Sequence, residues 1–155
     1  MKKTLLGLLA LSAVSSAAAD AVGGYIGTDA GIYYRSELTA DAAVRYGLNL
    51  SALNLFRGGS LALGGEVAYL RNASNQNFGG LNPYYGFGLG VNASLGSVTG
   101  VSAYPHVLGG LAYNVGGPLG VFVEGNIGPA IALSNAGSGI GLGAGVRLGV
   151  NYQLP

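Results

Sequence analysis

The chain has 155 residues with no cysteine, so it holds no disulfide framework. Charged residues make up 8% of it, against about 25% in an ordinary soluble domain. Seven basic and six acidic side chains nearly cancel, which gives no electrostatic footprint for nucleic acid.

The chain opens MKKTLLGLLALSAVSSAAAD. Lys2 and Lys3 precede an apolar run from Leu5 to Val14, and Ala17-Ala18-Ala19 stands just before Asp20. That order predicts a secretory signal peptide, residues 1–19, cleaved after Ala19. The apolar run is about half the ~20 residues of a membrane-spanning helix. The predicted mature domain, residues 20–155, keeps five arginines and six acids, a net charge of −1.

After the leader, the hydropathy pattern repeats every second residue. Val22 to Arg35 sets Val22, Ile26, Ile32 and Tyr34 against Tyr25, Asp29, Tyr33 and Arg35. Ala42 to Ser51 sets Val44, Tyr46, Leu48 and Leu50 against Arg45, Gly47 and Asn49. Leu61 to Leu70 alternates Leu61, Leu63, Val67 and Tyr69 with Ala62, Gly64, Glu66 and Ala68. Leu81 to Gly96 places Phe87, Leu89 and Val91 opposite Gly86, Gly88 and Gly90. Val101 to Val115 separates Val107, Leu111 and Tyr113 from Tyr104, His106 and Asn114. Leu119 to Ser134 separates Val121, Val123 and Ile127 from Phe122, Glu124 and Asn126. The final run, GIGLGAGVRLGVNYQLP from Gly139, has one face from Ile140 to Leu154 that is almost wholly apolar. The other is mostly glycine, with Arg147 at its centre.

Period two is the signature of strands. A helix would spread these glycines over every face, at about 1 kcal/mol each relative to alanine. From Asn72 to Val123 there is no Asp, Glu, Lys or Arg, which a water-exposed domain of this size would not sustain. Segments of roughly 10 to 16 residues suit transmembrane strands, which need ~9–11. Turn-rich pieces such as RSELTAD, NLFRGGS and RNASNQNFGG separate them. An open sheet edge cannot be solvated in lipid, so the strands are expected to close. The predicted fold is all-β: a closed antiparallel up-and-down transmembrane β-barrel.

Signal peptide, mature length and glycine-rich alternating strands together resemble the small outer-membrane β-barrels of diderm bacteria, the class of the OmpA transmembrane domain and OmpX-like proteins. The resemblance implies eight strands. Seven segments are countable. The eighth comes either from a split of Ala21–Arg35 near Gly27-Thr28-Asp29 or from the stretch around Leu53–Ser60. The chain ends Tyr152-Gln153-Leu154-Pro155, without the terminal aromatic residue of that class.

Arg45, Glu66, Glu124 and Arg147 all fall on the non-oily face, and so do Asp29 and Arg35. On the lipid face an arginine at the bilayer midplane would cost ~2–4 kcal/mol. The four central charges balance in sign and are expected to form an ionic cluster plugging the lumen, as barrels of the resembling class do. Glu124 with Arg147 is the leading pair. Tyr34, Tyr69, Tyr85, Tyr113 and Tyr152 stand toward segment ends on the oily face, as an aromatic girdle would.

Enzymatic signals are weak. His106 is the sole histidine, with Ser102 and Tyr104 nearby but no nucleophile motif. One histidine and no cysteine make no metal cluster, and no cofactor is expected. Gly86–Gly90 and Gly139–Gly145 lack the strand-to-helix context and the lysine of a phosphate loop. Asn72-Ala73-Ser74 and Asn92-Ala93-Ser94 match a short glycosylation pattern that arises easily by chance. The expected protein is a non-enzymatic, monomeric barrel of the cell outer membrane with a structural or surface-interaction role. Its expected partners are outer-membrane lipids and, during biogenesis, the assembly machinery, with no nucleic acid. A narrow channel for small solutes and a lipid-modifying enzyme are the alternatives.

Overall fold

A computed structural model describes residues 19–51, 61–73, 78–95 and 99–155. Apart from Ala19, the predicted signal peptide lies outside the described residues, as does the stretch 52–60. The eight strands are β1 (Ala21–Gly27), β2 (Ala30–Glu37), β3 (Ala42–Ser51) and β4 (Leu61–Asn72), followed by β5 (Leu81–Leu95), β6 (Gly100–Gly116), β7 (Leu119–Ser134) and β8 (Gly137–Gln153). Each pairs antiparallel with the next, and β8 pairs back to β1, so the sheet is a closed up-and-down barrel. No helix occurs among the described residues.

The stretch Val22 to Arg35 is two strands, not one. The chain reverses at Thr28-Asp29, and Ala21 comes to lie opposite Arg35. The eighth strand therefore comes from the first of the two places the sequence left open. Other reversals use glycine at positive φ: Gly79 and Gly80 before β5, Gly116 and Gly117 at the end of β6, and Gly137 at the start of β8. Only glycine takes these conformations without strain.

Register fixes the barrel's dimensions. Stepping across neighbours from Gly24 leads through Ile32, Leu48, Gly65, Val91, Ala103 and Ile131 to Ile140. The partner of Gly24 on β8 is Val150, so one circuit advances ten residues along the strand. Eight strands with that shear tilt by about 41° and enclose a backbone radius of about 8 Å, given the ordinary strand spacing and rise. An interior of this size is just wide enough for side chains to fill.

The alternation is strict in its consequence. Ile26, Ile32, Leu48, Phe87, Val107, Ile140 and Leu142 point outward and stay exposed. Tyr25, Tyr33, Ala43, Ala68, Leu70, Tyr84, Leu108 and Phe122 form the internal core. Glycines on the inner face give the bulky residues room. A side chain at Gly149 would strike the Phe122 ring, at Gly110 the Tyr84 ring, and at Gly23 the Tyr33 ring.

The wall is uneven. β1 and β2 have only 7 and 8 residues, while β6 and β8 have 17. Pairing of β1 with β8 stops at Gly27 opposite Arg147, and Thr28 N–H then donates to the Val146 carbonyl at 3.1 Å. Beyond that point β8 pairs only with β7. The rim away from the termini therefore has a notch above the β1–β2 hairpin.

Two glycine substitutions should behave oppositely. A Cβ at Gly86 would run into the Tyr69 carbonyl oxygen, whereas a Cβ at Gly139 meets nothing within 4 Å. Gly86→Ala is expected to destabilise the barrel by about 1–3 kcal/mol through overpacking, and Gly139→Ala by less than about 0.5 kcal/mol. Urea unfolding of the refolded barrel reads both values; equal midpoints would contradict the packing described.

Candidate functional site

The inward charges meet at the centre of the lumen. Arg45 on β3 grips Glu124 on β7 with both terminal nitrogens, Nη1 to Oε2 at 2.8 Å and Nη2 to Oε1 at 2.9 Å. Its Nη2 also reaches Glu66 Oε1 on β4 at 3.0 Å. Arg147 on β8 donates to both oxygens of Glu66, at 3.0 and 2.7 Å, and to both oxygens of Asp29, at 3.0 and 2.9 Å. These are paired, charge-assisted contacts of the kind the planar guanidinium favours.

Arg45, Glu66, Glu124 and Arg147 are thus one network, with Glu124 wholly buried. The leading pair differs from the sequence expectation. Glu124 and Arg147 are direct cross-strand neighbours, yet their contact is 3.5 Å, and the close partner of Glu124 is Arg45. Neighbouring register puts two side chains side by side, whereas the fork of Arg45 approaches Glu124 end-on across a narrow lumen.

Asp29 and Tyr84 complete the network, and sequence reasoning did not place either in it. The β1–β2 turn carries Asp29 beside Arg147. Tyr84 donates its hydroxyl to Glu124 Oε2 at 3.0 Å. Aromatic faces cover the cations: the Tyr33 ring lies 5.6 Å from the Arg45 guanidinium carbon and the Tyr25 ring 4.5 Å from that of Arg147. Two cations against three carboxylates leave the cluster at −1. Arg35 stands apart, bridged to Glu37 at 2.6 Å.

His106 touches the edge of this cluster. Its ring stacks on Tyr104 at 4.7 Å, its Nδ1 bonds the Tyr104 carbonyl at 2.9 Å, and its Nε2 is 3.7 Å from Glu66 Oε2. Among the described residues no serine hydroxyl bonds the His106 ring.

The two halves of the lumen differ. Toward the termini, a cavity of about 20 Å³ lies among Tyr33, Leu70, Tyr84, Ala112 and Phe122, room for roughly one water. Toward the other rim the lumen widens into a cup of about 480 Å³, whose floor is Asp29, Glu66 and Arg147.

Tyr34, Tyr69, Tyr85, Tyr113 and Tyr152 all point outward. Each lies near the strand end on the rim that carries both chain termini, and exposed Tyr46 joins them. Among the described residues the tyrosine belt is one-sided. Beside it, outside the strands, the Tyr34 hydroxyl bonds Asp20 and holds its carboxyl below the usual carboxylate range. Comparison with protein-family models, curated proteins and solved structures finds no match to this chain.

The pairing pattern predicts the energetic coupling. Removing Glu124 strips Arg45 of its two-toothed partner and the Tyr84 hydroxyl of its acceptor, and breaking a buried ion pair typically costs about 3–5 kcal/mol. Glu124→Ala should therefore destabilise strongly. Its coupling to Arg45→Ala, from a double-mutant cycle of urea unfolding, should exceed its coupling to Arg147→Ala. Equal couplings would mean that the 2.8 Å and 3.5 Å contacts are energetically alike.

Proposed function

We propose that the protein is an integral outer-membrane β-barrel of the small OmpA- and OmpX-like kind, monomeric, with a structural or surface-interaction role and no through-pore. The observation that carries this reading is the inversion of the barrel. Large apolar side chains cover the outside, Ile140 and Leu142 being 80% and 79% exposed, while the most deeply buried large side chain among the described residues is the charged Glu124. A soluble monomer rarely exposes apolar patches beyond a few hundred Å². Lipid is the solvent that makes such a wall stable, and a closed barrel satisfies its backbone there.

The outer membrane is the membrane that the predicted export signal and a strand-built span fit together. The assembly machinery of that membrane is then the partner during insertion, and lipids are the partner afterwards. The aromatic packing between the cluster and the terminal rim supports a non-conducting role. The envelope would gain a stable lipid-embedded body with loops at both rims.

Two measurements test the reading. The protein should remain in the membrane fraction after salt and carbonate washing, and should migrate differently on gels when boiled and unboiled. Recovery in the soluble fraction would sink the proposal. In planar bilayers the refolded barrel should give no discrete conductance steps; reproducible steps would establish the narrow-channel alternative instead.

A further inference from the structure

The cup above the charge cluster has the chemistry of a ligand site. Its volume, about 480 Å³, is within the range of small-molecule pockets. Asn49, Asn92 and Ser102 lie in one row of registered neighbours, with Gly64 between the two asparagines. Both carboxamides lean into the space over Gly64, where any side chain would collide with them. Asn49 is 7% exposed. Among the described residues neither carboxamide has a hydrogen-bond partner. Both line the open cup, so their donors and acceptors are left for a bound polar group.

The remaining wall is of the same kind. Asn126 accepts the Tyr104 hydroxyl at 2.9 Å on Oδ1, which leaves its amide donors to the cup. One face of Tyr104 is covered by His106, which lies further from the mouth, so the other face looks toward it. The carboxylates of the floor are held by Arg147, and the cluster's −1 charge disfavours an anion.

The geometry points to a binding site for a neutral polyhydroxylated group, a hexose ring or its equivalent. A carboxamide supplies a donor and an acceptor at once, which matches a hydroxyl. An aromatic face suits the C–H side of such a ring, since aromatic side chains combine a broad apolar body with a polar tip. Two sources present this chemistry: a free sugar entering at the rim, or the head of a glycolipid entering through the notch. The notch is part of the same cavity, because Thr28 on the hairpin and Ala144 on the outward face of β8 both line it.

The test is a titration of the ¹⁵N-labelled full-length mature barrel in dodecylphosphocholine, with side-chain amide signals as the readout. Glucose and, separately, octyl glucoside are the probes. Saturable shifts of the Asn126 amide with either probe are expected. Shifts with both identify a free-sugar site, and shifts with octyl glucoside alone identify a lipid head. Asn49→Ala with Asn92→Ala breaks no hydrogen bond among the described residues, so folding by gel mobility should be unchanged while affinity falls about tenfold, as expected for two lost hydrogen bonds. Glucuronate, which adds a carboxylate, should not bind. The proposal is overturned if neither probe shifts the amides, if the folded double variant binds like the wild type, or if glucuronate binds as well as glucose.

Discussion

Two guanidinium groups shared among three carboxylates organise this barrel. Charges removed from water are stable only when every one is paired and hydrogen-bonded. Here the pairs link β3 with β7, β3 with β4, and β8 with both β4 and the β1–β2 turn. Backbone bonds join each strand only to its neighbours. The ionic network ties strands from opposite sides of the cylinder, so the lumen has one arrangement rather than many.

That network sits in a barrel whose radius leaves little freedom. Registered rows of the inner face combine large groups with small ones. Tyr33, Gly47, Glu66, Gly90 and Tyr104 form one row, and Arg35, Arg45, Ala68, Gly88 and His106 another. A side chain at Gly88 would strike the His106 ring, and one at Gly143 the Tyr104 ring. Much of the inner-face glycine content therefore follows from geometry: rings such as those of His106, Tyr104, Tyr84 and Phe122 occupy space that a neighbouring side chain would need. The same rule explains why the outward face has so few glycines with close surroundings.

The fold class was legible because period two survives along nearly every strand. The split between β1 and β2 was not. A two-residue turn preserves parity, so Ile26 before it and Ile32 after it both face outward, and the two strands read as one. The inward charges were legible as members of one face. Their partners were not, because contacts across the lumen depend on a shear of ten residues that no local pattern encodes. The cup escaped notice for the same reason. Asn49, Asn92 and Asn126 look like ordinary polar positions until register brings them together.

The short wall is where the proposed membrane setting makes its strongest demand. At a tilt of about 41°, a 7-residue strand rises about 17 Å and a 17-residue strand about 42 Å. An apolar band of about 25 Å is taller than the first and shorter than the second. Since Val146 turns its carbonyl toward β1, alternation turns the backbone groups of Ala144, Leu142, Ile140 and Ser138 to the same side, where β1 has ended. Lipid cannot satisfy those groups. A polar cup that reaches Ala144 brings hydrogen-bonding surroundings to that part of the edge from inside the barrel. Thr28, Asp29 and Asn49 concentrate beside the notch, where the wall is lowest. The polar lining and the short hairpin then belong together: in lipid, a barrel with a low side needs polar surroundings on that side.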